Sequence, residues 1–235
     1  MRLSASQITK HFGHRAVVKK ADLTINAGEV VAIFGPNGAG KTTFIKILAT
    51  LLRPTSGQLE IEGTDAIADY AKVRKMLGVI IHEHLAYPTL TPFENLKFFG
   101  QIYGVENLEI RCQTLLDEVG LQQFVHEPLQ IFSRGMTQRF MIARALLHQP
   151  SILLFDEPFS GLDASAKQLV LDRITQERQN GKGILITTHN TELGYHIGTR
   201  FFFMINGELE EIARQDEISE KTLVQMYEER LKAGR

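Results

Sequence analysis

The chain has one cysteine, Cys112, in 235 residues. A single thiol builds neither a disulfide framework nor a cysteine-based metal site, and it suits a reducing compartment. An excess of charge of one sign is also missing. Lys and Arg number 26 against 27 Asp and Glu, a net charge of −1. No strong field for nucleic acid follows, and no nucleic-acid partner is expected. Long apolar runs are absent too. The longest, such as Phe201-Phe202-Phe203-Met204-Ile205, is strand-sized, far short of the ~20 residues that span a bilayer. Residues Met1 to Gln7 hold no apolar core of the kind a signal peptide carries. Any membrane role is therefore expected to run through a partner. What the chain does have is apolar content, 43%. That is ample for one large domain, or for a core with a subdomain.

The most specific segment is Gly35-Pro36-Asn37-Gly38-Ala39-Gly40-Lys41-Thr42, followed by Thr43. It fits the phosphate-cradling pattern G-x-x-x-x-G-K-[ST]. With glycine near its usual frequency, this pattern arises by chance in about one chain in a hundred of this length. The context is the required one. Val30 to Phe34 reads as a buried parallel strand, and Thr43 to Leu48 has apolar residues at helical spacing. A loop there opens a helix N-terminus, where free N–H groups and the helix dipole favour an anion. Lys41 would reach the β- and γ-phosphates, and the Thr42 hydroxyl would ligate Mg²⁺. A Gly-rich strand-to-helix turn would show the same letters without that chemistry.

Further along, residues 2–34 read as strands and turns, and Leu59 to Gly63 as a half-solvated strand. Residues 69–77 read as a short basic helix and Val79-Ile80-Ile81 as a buried strand. Residues 92–149 are mostly helical, with Pro92 suited to a first helical turn. Ile152 to Phe155 and Gly183 to Thr187 return to parallel-type strands, flanking a helix from about Ala164 to Gly181. Asn206-Gly207 marks a hairpin. Ser219 to Leu231 reads as an amphipathic helix. The strand at 152 ends in Asp156-Glu157-Pro158, where α/β sheets place ligands. Asp156 would hold the Mg²⁺ shell and Glu157 would polarise an attacking water. The alternative is a strand running into an acidic turn.

Four more segments complete a pattern: Phe12-Gly13, Ser133-Arg134-Gly135-Met136-Thr137-Gln138-Arg139, Ser160-Gly161-Leu162-Asp163, and Thr187-Thr188-His189. Together with the phosphate loop they resemble the ATP-binding subunit of an ABC transporter, over nearly the whole chain. The resemblance implies an α/β P-loop NTPase (RecA-like) core with an N-terminal antiparallel β-subdomain and an inserted α-helical subdomain. Residues 1–81 and 151–215 would form the nucleotide-binding core, 82–150 the helical part, and 216–235 a C-terminal helix, all within one domain. It also implies Mg-dependent ATP hydrolysis with Lys41, Glu157 and His189 as catalytic residues. Phe12 would stack on adenine, unless it is a core aromatic. Ser133 and Gly135 would hold the γ-phosphate bound to an opposite subunit, in a homodimer or pseudo-dimer. Asp163 would link the two sites. Integral-membrane transporter subunits are the implied partners, and the cytoplasmic face of the cell's inner membrane the implied location.

Two positions depart from the family pattern. Arg134 stands where a glycine is usual. Its bulky, permanently charged side chain must point away from the nucleotide, or contact phosphate or ribose itself. His82 stands where a glutamine is usual, at the junction with the helical insertion. There it could bind water, nucleotide or metal through one ring nitrogen. His82, with Leu85 to Thr91, Glu94 to Phe99 and the segment around Phe132 to His148, is similar to haem exporter ATP-binding subunits of bacterial cytochrome c maturation. Other two-component exporters, for drugs, lipids or polysaccharides, share much of this, and a slow-turnover regulatory module is a further alternative. In the family, the region from Leu85 to Tyr103 receives a short helix of the membrane subunit. Tyr87 and Pro88 are the expected contacts there, while Phe98 and Phe99 are expected to pack internally.

Overall fold

Alternation of side chains along five apolar strands sets the architecture of the computed structural model, which describes residues 1–81 and 86–233. The elements are β1 (Leu3–Phe12), β2 (Arg15–Ile25), β3 (Val30–Phe34), α1 (Lys41–Leu48), β4 (Ser56–Ile61), β5 (Thr64–Asp65), α2 (Tyr70–Arg74) and β6 (Leu77–Ile80). Then come α3 (Pro92–Tyr103), α4 (Leu108–Glu118), α5 (Arg134–Leu146), β7 (Ile152–Asp156) and α6 (Ala164–Gln179). Last are β8 (Gly183–Thr188), α7 (Thr191–Ile197), β9 (Arg200–Ile205), β10 (Glu208–Arg214) and α8 (Glu220–Ala233). They form two sheets. One has the order β2-β1-β4-β5 and is antiparallel. The other has the order β10-β9-β3-β8-β7-β6, parallel except for the β9–β10 hairpin.

The parallel strands read as unbroken apolar runs because both faces are covered. Val30, Ala32 and Phe34 of β3 face a core shared with the helices, while Val31 and Ile33 face a core shared with α1 and the antiparallel sheet. β7 divides the same way, with Leu153 and Phe155 on one side and Ile152 and Leu154 on the other. Each such side chain, fully buried, contributes roughly 1.5–3 kcal/mol. The predicted basic helix is shorter than 69–77. It ends at Arg74 because Leu77 already pairs with Ile152 in the parallel sheet. The expected hairpin is present, with Asn206 and Gly207 both at positive φ, 51° and 83°, as a two-residue turn of the twisted type requires.

The helical part packs on the edge of the parallel sheet. α3 starts with Pro92 in its first turn and a reciprocal capping pair, Thr91 and Glu94. The fully buried Asn95 amide donates to the carbonyls of Tyr87, Leu90 and Thr91 and accepts from the Tyr87 N–H, which pins the loop before α3. At the far end of α5, Arg144 donates to the Val79 carbonyl at 3.0 Å, and His148 Nε2 lies 3.0 Å from the Leu77 carbonyl. His148 also stacks on Tyr103, with ring centroids 3.9 Å apart. Burial pushes the His148 imidazole down to about 4. Burial likewise pushes the Cys112 thiol up to about 11, so this lone cysteine is a core side chain. On α8, Leu223 and Tyr227 are buried against the helical-side core. No helix among the described residues is long and apolar enough to cross a membrane.

Candidate active site

The parallel strands all deliver their C-terminal ends to one edge, where open α/β sheets present ligand sites. After β3 the chain turns through Gly35 to Gly40 and enters α1 at Lys41. Gly40 has φ 109° and no room for a side chain. A Cβ there would lie 2.6 Å from the Val17 carbonyl oxygen. The loop is thus pressed against β2. Lys41 is buried, and its Nζ donates to the Gly35 carbonyl at 2.5 Å and the Pro36 carbonyl at 3.2 Å. The same Nζ lies 3.6 Å from Glu157 Oε1.

β7 and β8 supply the carboxylates and their supports. Asp156 is 2% exposed. Its two oxygens accept from the Thr42 hydroxyl at 2.7 Å and from the Thr187 hydroxyl at 2.5 Å. Glu157, the next residue, has φ 51°, an unusual backbone for a non-glycine residue at a strand end. Its N–H donates to the Thr187 carbonyl at 3.1 Å, so β8 holds the kink in place. Glu157 Oε2 lies 2.9 Å from His189 Nδ1. Among the described residues Glu157 Oε1 is buried with no hydrogen bond, beside the Lys41 ammonium. Tyr227 of α8 is close enough to feel this carboxylate. Its phenol is pushed up, first by burial and then by the Glu157 charge.

These groups surround a cavity of about 470 Å³. Of the residues the sequence pointed to, Phe12, Pro36, Asn37, Gly38, Gly40, Lys41, Thr42, Thr43, Asp156, Glu157 and His189 line it. Gly35 and Ala39 lie in the loop behind, Gly35 as the acceptor for Lys41 and Ala39 buried in the core. Phe12 is not a core aromatic. It is 52% exposed at the cavity rim, with the Lys10 ammonium 5.2 Å from its ring centre. Ser133, Gly135 and Asp163 do not line the cavity of their own chain. Ser133 caps α5 by accepting from the Met136 N–H, and Asp163 caps α6 by accepting from the Ala166 N–H. The two caps start adjacent helices on an exposed face. His82 lies outside the described residues.

The sequence reading missed three contributors. Arg15 and Val17 reach the cavity because the β1–β2 turn folds over the phosphate loop. Thr187 donates to the Asp156 carboxylate and accepts from the Glu157 backbone N–H. Only the Thr-Thr-His segment at the end of β8 hinted at it. The residues also fit a hard divalent cation. Thr42 and Asp156 place a hydroxyl and a carboxylate side by side, and Mg²⁺ takes oxygen ligands. The buried, hydrogen-bond-free Glu157 Oε1 beside them leaves acceptor capacity unused.

The family model described as "ABC transporter" matches residues 18–160. The ABC transporter ATP-binding protein NatA of Bacillus subtilis is 40% identical over 178 residues, covering 74% of this chain and 72% of that protein. The linearmycin resistance ATP-binding protein LnrL of the same organism is 31% identical over 230 residues, covering 95% and 74%. A Nod factor export ATP-binding protein of Cupriavidus pinatubonensis is 34% identical over 192 residues, covering 81% of this chain and 59% of that protein. Among solved structures, an ATP-binding subunit of an ABC transporter superposes with a TM-score of 0.83 at 29% identity, covering 92% of this chain and 97% of that one. A dimeric ATP-binding cassette in a post-hydrolysis state, bound to ADP and phosphate, gives 0.80 at 26% identity, covering 90% and 99%. The match therefore extends from the shared fold through the phosphate loop to the Asp156-Glu157 strand end, and this chain belongs to the ATP-binding subunits of ABC transporters, a family of ATPases coupled to transport.

Proposed function

We propose that this chain powers a two-component ABC exporter by hydrolysing ATP between two copies of the cassette. The observation that carries the reading is the convergence of Lys41, Asp156, Glu157 and His189 on the phosphate-loop cavity. The amides of residues 38–42 and the Lys41 ammonium would bind the β- and γ-phosphates, with Phe12 against adenine. Thr42 and Asp156 would hold Mg²⁺, which neutralises phosphate charge when bound. Glu157, kinked toward the cavity and in contact with His189, takes the proton of the attacking water as general base. His189 orients that carboxylate. Ser133 is exposed at the N-terminus of α5, and with Gly135 close behind it is suited to a γ-phosphate held by a second cassette. Asp163, on the neighbouring cap, is suited to the same interface. Integral-membrane subunits would dock at the loop pinned by Asn95, where Tyr87 is 47% exposed and sits edge-on to the half-exposed Phe98, 5.0 Å between centroids. The working complex would then sit at the cytoplasmic face of the inner membrane.

The exported substrate is a class question. Relatives are named for linearmycin resistance and Nod factor export, so another two-component exporter, for a drug, lipid or polysaccharide, is better supported than haem export in cytochrome c maturation. The test is ATP turnover by the purified chain with Mg²⁺. Glu157→Gln should lower kcat by about 10²–10⁴-fold, while ATP stabilises a dimer on size exclusion. A wild-type rate in that variant refutes the role of Glu157. Dimerisation without wild-type turnover, even with membrane subunits present, would make the chain a regulatory module instead. Membrane partners of the haem-exporter type would restore the narrower reading.

A further inference from the structure

Arg134 is the first residue of α5, and its side chain has two ways to go. It can reach outward, toward a nucleotide held by a second cassette, or turn back on its own chain. It turns back. Its terminal nitrogen donates to the Ser160 hydroxyl at 3.1 Å. The space that a Cβ on Gly161 would take is filled by the guanidinium, with Cζ 2.5 Å from that position. Gly161 has φ 71°, so only glycine offers both the backbone and the room. Ser160 and Gly161 belong to the turn between Glu157 and Asp163, and that turn is hydrogen-bonded from the Ser160 N–H to the Glu157 carbonyl at 3.1 Å. Arg134, Gln138, Asp156, Glu157 and Ser160 also share a second cavity of about 360 Å³. Both Gln138 Nε2 and Glu157 Oε1 are buried without a hydrogen bond.

We propose that Arg134 is a positioning residue acting within its own subunit. It clamps the Ser160–Gly161 turn to the first turn of α5, and through the Ser160–Glu157 bond it holds the kinked backbone that aims Glu157. The inference rests on the reading of Glu157 as the general base. It makes the helix end that faces a second cassette the same one that steadies the hydrolytic loop of its own site. A nucleotide contact from Arg134 is thereby replaced by a mechanical link.

The experiment compares Arg134→Gly, Arg134→Lys, Ser160→Ala and the double variant Arg134→Gly/Ser160→Ala. Arg134→Gly and Ser160→Ala should each lower kcat by about three- to tenfold, the loss of one charge-assisted hydrogen bond at a partly exposed site. KM for ATP should change by less than about twofold, because a group that touches no nucleotide adds no uniform binding. The double variant should be no slower than the slower single one, since both changes break the same link. Arg134→Lys should recover part of the rate, as it keeps a cationic donor. In nucleotide-free protein, amides of residues 157–163 should exchange faster with deuterium in Arg134→Gly. This readout is independent of turnover, so it still judges the clamp if the wild type proves to have no ATPase activity. A raised KM, with loss of the ATP-stabilised dimer in the Glu157→Gln background and unchanged exchange at 157–163, overturns the proposal in favour of a phosphate contact across the dimer. Additive losses in the double variant overturn it as well.

Discussion

Gly40→Ala is the most direct probe of how the fold builds the phosphate loop. Gly40 sits at φ 109°, ψ 0°, immediately before α1. An alanine pays left-handed backbone strain of about 1–2 kcal/mol there. Its Cβ would also fall 2.6 Å from the Val17 carbonyl oxygen and 3.0 Å from Met204 Cε. The methionine end can swing aside. The carbonyl belongs to β2 and cannot move without shifting the strand, at about 1–3 kcal/mol. The sum is roughly 2–5 kcal/mol. For a chain of this size each kcal/mol lowers Tm by about 2–4 °C, so a fall of about 4–20 °C is expected. Gly38→Ala is the control. Gly38 has a similar φ of 80°, but nothing lies within 4 Å of its Cβ position. It should bear the strain alone, with a fall of about 2–8 °C. The assay is thermal unfolding by circular dichroism, without nucleotide. Equal losses in the two variants would refute the claim that contact with β2, rather than backbone strain, dictates glycine at position 40.

Two further outcomes follow from buried charge. The His148 imidazole is held down to about 4 by burial, while the unfolded chain protonates near its ordinary value, about 6.5. The unfolded state therefore binds more protons between these values, and stability present above about pH 6.5 is lost as pH falls toward 4. The loss is of order 2–3 kcal/mol, discounted for partial exposure. Urea unfolding across that range should show a wild-type slope that His148→Gln flattens, and matching slopes would refute the assignment. Arg200 is buried, donates to both oxygens of Glu211 at 2.8 Å and pairs with the buried Glu29 at 3.3 Å. Arg200→Met should cost about 2–4 kcal/mol, because the buried Glu29 keeps its donors from Asn26 but loses its cationic partner. Adding Glu29→Gln should recover part of that. A loss below about 1 kcal/mol by denaturant titration would show that the pair is dispensable.

The strands were legible in the sequence because parallel strands covered on both faces must be apolar through their centres, and Val30 to Phe34, Ile152 to Phe155 and Ile184 to Ile186 are. The phosphate loop was legible because its glycines and its lysine are demanded by local backbone shape and local charge. Even the hairpin at Asn206-Gly207 is a two-residue requirement. The misjudged end of α2 is different in kind. Residues 75–77 have helical letters, yet the ladder with Ile152 claims Leu77. A long-range partner overrode a local preference.

The same division runs through the site. The sequence by itself determined the chemical inventory: a cationic loop at a helix start, two carboxylates ending a strand, a histidine ending the next, and membership in a family that uses them. These are short-range patterns, and short-range physics writes them into neighbouring residues. Tertiary structure decided how the inventory is aimed. Thr187 holds Asp156 and the Glu157 kink from 31 and 30 residues away. Arg15 and Val17 arrive over the loop on a separate sheet. Arg134 turns onto Gly161 instead of outward, because a glycine 27 residues later leaves room for it and Ser160 offers an acceptor. No local pattern encodes such choices, since each depends on which surfaces the packed sheets bring within a few ångströms.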